Sequence, residues 1–489
     1  MTVLTTGEGE GESLDVTHEI AGDHGEMNVA LQSKTGLIHA DLSVGANVSK
    51  ALTLKAAQGM SHMGVILVGS GFIVQPGDPL LTLEPAAIKP YLNGRDLTQI
   101  SRGVFVIDLA GLTQEEVRTR FPHCYQRLYD TVRAERAVSR DDYLRDNWWL
   151  FRRTNKQLRS GLAGLNRYIG TTETAKHRTF SFIGGAVLPD QKIRVVTSDD
   201  ALHLGVLSSR AHVDWALATG GRLGVGNDPV YNNTRCFETF PFPTEDTGLT
   251  PELRSRIASL AEQLDAHRKH VLSTQNASNT SEFTLTGLYN VLEALKAGRE
   301  LTAKEKLIHT QGLVGVLQDL HDDLDTAVLQ AYGWADAPDT PELLTRLVAL
   351  NTRRAAEEMA GLVRWLRPAF QNPAIVQAAN SLSREELLTQ VLPGLQANLA
   401  LNNPIQDVQP VKPNKATSAD IEPQPWPATL PEQVRAVAAV LAGSPVALSL
   451  EAVEARFKSR GAWRKSLPRI LDTLEALGRA WREGDGWRG

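Results

Sequence analysis

The sequence predicts an α+β protein: a mixed domain of short strands and helices, then a helical bundle, then a small winged-helix-like C-terminal domain. Three observations carry this prediction. Short runs rich in Val, Ile and Phe, punctuated by Gly and Pro, fill the first half of the chain. From residue 251 onward apolar residues recur at helical spacing, as in Ile257, Leu260, Leu264 and Val271. Pro410, Pro413, Pro423, Pro425 and Pro427 then set off a final segment. With 489 residues and 42% hydrophobic content, the chain can bury several cores.

Residues 1–27 contain Glu8, Glu10, Glu12, Asp15, Glu19, Asp23 and Glu26, with no Lys or Arg before Lys34, and read as an acidic disordered tail. Residues 28–87 read as a β-rich segment, with strands at Val65–Val68 and Phe72–Val74 around Gly69-Ser70-Gly71. Residues 88–245 form the mixed domain. Its strands are expected at Val104–Ile107, Phe180–Ile183 and Lys192–Val196, and its helices at Gln114–Arg136 and Leu202–Ala218. Residues 246–370 form the bundle, with helices at Pro251–Val271, Thr286–Ala297, Ala303–Tyr332 and Pro341–Leu366. Residues 371–429 are the linker. In residues 430–489, helices at Pro431–Leu441, Leu450–Phe457 and Trp463–Leu477 precede a tight ending, Trp481–Arg488, that suits a β wing.

Composition excludes several classes. No apolar run approaches the ~20 residues of a membrane span, and the acidic N-terminus is unlike a secretory signal, which suggests a cytoplasmic protein without a membrane partner. Cys124 and Cys236 have no CxxC partner or ligand-spaced histidine, so no metal site is expected. The net charge of −5 conceals a segregation. Between Lys89 and Arg235 there are 22 Lys and Arg against 15 Asp and Glu, an excess of seven, and 18 of the 22 are Arg. Arg presents a planar fork that matches phosphates and base edges.

The motifs within that basic segment point to duplex DNA. Asn93 and Arg95 lie in Tyr91-Leu92-Asn93-Gly94-Arg95-Asp96, whose bland reading is a tight turn with Arg95 paired to Asp96. Arg152 and Arg153 follow Trp148-Trp149-Leu150-Phe151, where the tryptophans read as core and the arginines as backbone contacts. Arg167, Tyr168, Lys176, His177 and Arg178 flank a Thr-rich loop, and Asn232, Asn233 and Arg235 precede Phe237. Arg matches guanine N7 and O6, Asn matches adenine N7 and N6, and Lys, His and Tyr suit phosphates. The Asp190-x-Lys192 pair lacks an upstream acidic ligand for nuclease chemistry. Gly69-Ser70-Gly71 lies between strands rather than before a helix, which weakens a nucleotide-loop reading.

Together these signatures resemble the C-terminal half of MmeI-like type II restriction-modification enzymes and their adenine-specific DNA methyltransferase relatives. The likeness runs from about Val29 to Phe370. It rests on Leu67–Phe72, Pro90–Leu97, Trp148–Phe151, Arg167-Tyr168-Ile169, Lys176-His177-Arg178, Leu204–Arg210, Tyr231–Pro243, Leu285–Leu292 and Leu362–Pro368. The resemblance implies a target-recognition domain followed by helices, double-stranded DNA as partner, and base flipping with adenine N6 methylation by a catalytic domain that uses S-adenosylmethionine. The family's Asn-Pro-Pro-aromatic tetrapeptide and cofactor glycine loop are not found in this sequence. No cofactor or catalytic residue is therefore expected in this chain, which would be inactive alone and would work with a separate methyltransferase subunit. Two alternatives remain open: a fragment of a site-specific adenine methyltransferase, and a non-enzymatic interaction scaffold.

Overall fold

The computed structural model describes residues 11–21, 27–36, 46–223, 228–277 and 283–374, together with residues 424–426 and parts of 433–488. The chain divides into two compact units, Met1–Pro404 and Ile405–Gly489. The expected linker falls largely outside the described residues.

Within the first unit, β1 (Gly11–Ala21) and β2 (Met27–Gly36) pair as an antiparallel hairpin, irregular between Val16 and His18. This corrects the expectation of a disordered tail over residues 11–21. Val16, Thr17 and Ile20 in one strand and Val29 and Leu31 in the other are β-formers that a charge count overlooks.

The next elements are β3 (Ser61–Met63), β4 (Ile73–Val74), α1 (Leu80–Leu83), β5 (Ile88–Leu92), α2 (Gly94–Thr98) and β6 (Phe105–Ile107). Short helices follow: α3 (Gln114–Arg120), α4 (Pro122–Leu128), α5 (Ala134–Ala137), α6 (Asp142–Asp146) and α7 (Lys156–Leu162). Then come β7 (Arg167–Thr172), β8 (Ser181–Gly184), β9 (Leu188–Pro189), β10 (Ile193–Val196), α8 (Ala201–Ser208), α9 (Arg210–Thr219), β11 (Gly221–Leu223) and β12 (Asp228–Val230). One sheet has the order β3-β10-β7-β8 and is antiparallel throughout. The other has the order β4-β6-β5-β9, with β5 and β9 parallel. Residues 61–74 thus provide an edge strand to each sheet, and the boundary expected at residue 87 is not a break in packing.

The long helix expected at Gln114–Arg136 is divided because Pro122 has no N–H to continue α3 and instead starts α4. Extended backbone at Ser209 separates α8 from α9, and every residue of α8 is buried. Trp148 and Trp149 are core, packed edge-on among Tyr125 and Tyr129.

Beyond the mixed domain lie α10 (Pro251–Ala277), α11 (Leu285–Lys296), α12 (Ala303–Gln311), α13 (Val314–Ala331), α14 (Thr340–Met359) and α15 (Pro368–Gln371). The break between α12 and α13 falls at Leu313, whose φ is +49°, and α14 stops before Gly361 at φ +95°. These helices share one core with the mixed domain, which runs from Ile169, Phe180 and Trp215 to Leu264, Leu288, Leu324 and Leu347. Buried Asn351 ties them further, donating from Nδ2 to the carbonyls of Leu52 (2.8 Å) and Thr239 (2.7 Å). The bundle is therefore an extension of the mixed domain's core rather than a separate body.

In the second unit, β13 (Gln424–Pro425) pairs parallel with β14 (Phe457–Lys458), and α16 (Leu450–Glu454) precedes β14. A hairpin of β15 (Trp481–Glu483) and β16 (Gly486–Arg488) ends it. Val437, Leu441, Val453, Phe457, Leu467 and Leu471 form its core.

Candidate nucleic-acid interface

Asn93 caps α2. Its Oδ1 accepts from the amides of Arg95 (2.9 Å) and Asp96 (3.1 Å), while the Asp96 carboxylate accepts from the Asn93 amide (3.0 Å). Asp96 is also gripped by Arg102, through Nε at 2.9 Å and Nη2 at 2.6 Å. Burial alone would raise the Asp96 pKa, but Arg102 and the amides hold it below the ordinary carboxylate range. The expected Arg95–Asp96 pair is thus replaced by Arg102–Asp96. Arg95 is left exposed, and among the described residues its side chain is held by Gln99 Oε1, 3.1 Å from its Nε.

Arg95 stands on the wall of an open groove of about 580 Å³. Asn93, Thr98 and Gln99 complete that wall, Thr172 comes from the end of β7, Thr174 and Ala175 from the loop after it, Asp190 and Lys192 from the turn before β10, and Thr286 from α11. Tyr91 donates its hydroxyl to Asp190 Oδ2 at 2.7 Å, and burial together with that carboxylate pushes the phenol pKa up. Lys192 Nζ lies 2.6 Å from Glu173 Oε2, and Arg194 pairs with the other oxygen. Burial works to raise the Glu173 pKa, and these two cations outweigh it.

A second groove is lined by Arg152, Arg153, Lys156, Tyr143, Thr154, Asn155 and Gln157. Val65 bridges to Asp190 on one side of its segment and Ile66 to Arg153 on the other. Two strand spacings, about 10 Å, therefore separate the Arg153 and Asp190 backbones. Arg152 is paired with Asp141 at 3.0 Å, whereas Arg153 and Lys156 make no ion pair among the described residues.

Several expected contact residues lie elsewhere. Tyr168 is fully buried and donates its hydroxyl to the Val187 carbonyl at 2.9 Å, so it has no face for a phosphate. Arg178 is 7% exposed. Its guanidinium donates to the carbonyls of Thr172, Glu173 and Pro229 and to Thr171 Oγ1, and it lies over the Tyr231 ring. Burial brings its pKa down to about 10, and it braces the loop from inside. Arg167 forks onto Glu262 (2.5 and 3.0 Å) and covers Phe182. Lys176 and His177 turn toward α11. Asn232 caps a helical turn by accepting from Thr234 and Arg235 amides, and Asn233 Oδ1 is buried without a hydrogen-bond partner among the described residues. Arg235 is exposed and makes no ion pair among the described residues.

Comparison with known proteins bears on this arrangement. Residues 82–244 match the family model of the MmeI target recognition domain. The chain is also similar in structure to the type IIL restriction-modification enzyme MmeI, solved in complex with DNA. Identity is 18% and the TM-score 0.50, over 67% of this chain and 40% of that one. At that identity the likeness speaks for the fold. No curated protein matches.

The matched domain contains nearly all of the groove, but one lining residue, Thr286, lies outside it. Sequence reading missed Thr172, Thr174 and Thr286, which carry no charge signal, and considered Lys192 only within a nuclease motif. The Gly69-Ser70-Gly71 turn is closely packed. A Cβ at Gly71 would sit 2.1 Å from Thr131 Oγ1, so the glycine permits close packing, and the carbonyls of Leu67 and Val68 are taken by Arg136. Among the described residues no group of three or more His, Cys, Asp or Glu could hold a metal ion, and no helix is long and apolar enough to cross a membrane.

Proposed function

We propose that this chain recognises a specific sequence in duplex DNA for a restriction-modification system that methylates adenine at N6, with catalysis supplied by a separate polypeptide or domain. The observation that carries the reading is the coincidence of the matched target recognition domain with an open groove walled by Asn93, Arg95 and Lys192. Arg95, without a carboxylate partner, is available for a bidentate contact with guanine or a phosphate, and each good base pairing contributes about 1–3 kcal/mol of discrimination. Arg153 and Lys156 in the second groove suit the flanking phosphates. S-adenosylmethionine belongs to the catalytic part, and the C-terminal unit is a winged-helix-like accessory domain.

The test is fluorescence anisotropy with a mixed-sequence duplex at several salt concentrations, followed by selection from a randomised duplex library. Arg95→Ala should weaken binding and lower the salt slope by roughly one unit if it meets a phosphate, or relax one selected position if it meets a base. Failure of the intact chain to bind duplex at low salt would overturn the proposal. The purified chain alone should transfer no methyl group from tritiated S-adenosylmethionine.

A further inference from the structure

We infer that helix α11, C-terminal to the matched domain, is part of the reading surface, and that Asn290 on it is a positioning residue for Lys176 and His177. The inference rests on the proposed DNA recognition and deepens it. Three observations on the geometry converge.

First, α11 forms wall as well as support: Thr286, one turn before Asn290, lines the same groove as Arg95 and Lys192. Second, Asn290 Oδ1 lies 2.7 Å from Lys176 Nζ and 2.8 Å from His177 Nε2. An ammonium has only donors, so the amide atom facing it must be the oxygen. The same oxygen faces His177, so Nε2 of that imidazole must carry a proton. One acceptor therefore fixes the direction of a lysine and the protonated nitrogen of its neighbour. Glu293, one turn further along, takes Lys176 Nζ at 3.1 Å.

Third, the segment that follows is clamped from the same side. Arg268 on α10 donates from Nη1 to the Phe180 carbonyl at 2.9 Å and from Nη2 to the Tyr289 hydroxyl, which donates to His321 Nε2 at 2.7 Å. The Tyr289 ring in turn lies 5.8 Å from that of His177. Lys269 Nζ reaches the Phe182 carbonyl at 2.7 Å. The segment carrying Thr172 and Thr174 is thus braced internally by Arg178, while its outgoing end is held by α10 and α11. The Lys176–Glu293 pair is exposed on both sides and weak. Asn290 is the contact that joins both loop side chains to the helix.

The experiment is a double-mutant cycle on the full chain with a fluorescein-labelled mixed-sequence duplex. Lys176→Ala, Asn290→Leu and the double variant are titrated, and the His177 ring nitrogens are followed by NMR. Asn290→Leu should weaken binding about 5- to 10-fold, as expected for loss of one partly exposed ordering hydrogen bond. The double variant should lose less than the sum of the two single losses, because the Lys176 share of the Asn290 contact is already gone in Lys176→Ala. The wild-type His177 signals should report a single Nε2-protonated form, and the variant should lose that preference. Additive effects, or full affinity in Asn290→Leu where Lys176→Ala is impaired, would overturn the inference. If Asn290→Leu does not fold, Asn290→Gln takes its place, and an unaltered His177 signature in it counts against the contact. Should the wild-type chain bind no duplex, the underlying DNA reading fails, whereas the NMR signature tests the contact by itself.

Discussion

Replacing Arg178 by alanine separates the two roles that this residue can have. Its sequence context, between His177 and Thr179 in a basic segment, suits DNA contact, but the folded chain surrounds it with carbonyls. Its guanidinium serves Thr172, Glu173 and Pro229 oxygens, and no carboxylate is among its hydrogen-bond partners. Truncation would strand at least two close buried acceptors at about 1–3 kcal/mol each and leave a void beside Tyr231. Against this runs the cost of keeping a guanidinium buried. A pKa brought from 12.5 to about 10 corresponds to roughly 3 kcal/mol against the charged form. That cost disappears in the variant, so the net loss is smaller than the stranded acceptors and the void suggest, about 1–3 kcal/mol. Urea unfolding should show a lower midpoint, and hydrogen exchange should show faster exchange at amides 172–178 and 228–231. Arg95→Ala, by contrast, should retain the wild-type midpoint and lose duplex affinity. An Arg178→Ala protein with wild-type unfolding and exchange but impaired DNA binding would refute the reasoning.

Three further outcomes concern stability. Burial raises the pKa of Asp325, which accepts from the Arg210 amide at 2.7 Å, to about 6 from its ordinary 3.8. The folded protein therefore keeps that proton to higher pH than the unfolded chain, and stability falls as pH rises between those values and stays low above them. Asp325→Asn should stabilise the protein at pH 8 by up to about 3 kcal/mol, with little gain below pH 4, as read by thermal unfolding at both pH values. Asp246 receives Arg353, Arg354 and Arg364, and its pKa is lowered to about 2, with Arg354, the Thr244 hydroxyl and Arg364 outweighing burial. Its contribution is present above the ordinary carboxylate pKa and is lost as pH falls toward 2, so Asp246→Asn should lower the unfolding midpoint at pH 7 and flatten the acid limb. Gly205→Ala would put a Cβ 2.6 Å from Ile257 Cγ2, forcing α8 and α10 apart at a cost of about 1–3 kcal/mol, measurable as a reduced urea midpoint.

The sequence by itself determined the α+β class, most element positions and the likeness to a target recognition domain, because strand and helix periodicity and local signatures are properties of neighbouring residues. Phe105–Ile107, Ser181–Gly184, Ile193–Val196 and α10 fall where periodicity puts them. The α2 cap is just as local, since Asn93 and Asp96 close their box within four residues, but the Asn-Gly pair reads as a tight turn in sequence and the helix after it does not. Helix breaks at Ser209 and Leu313 were not legible, because no proline marks them and the apolar pattern continues across both.

Only the tertiary structure decided which basic side chains are free. Charge counting gives seven more cations than anions between Lys89 and Arg235, but it cannot say that Arg167 meets Glu262 or Lys176 meets Glu293, each more than ninety residues away. Nor can it separate Arg178, turned inward onto carbonyls, from Arg95, left facing the groove. An arginine looks the same in sequence whether its donors are satisfied by its own fold or by another molecule, and that difference is set by partners brought together from distant parts of the chain.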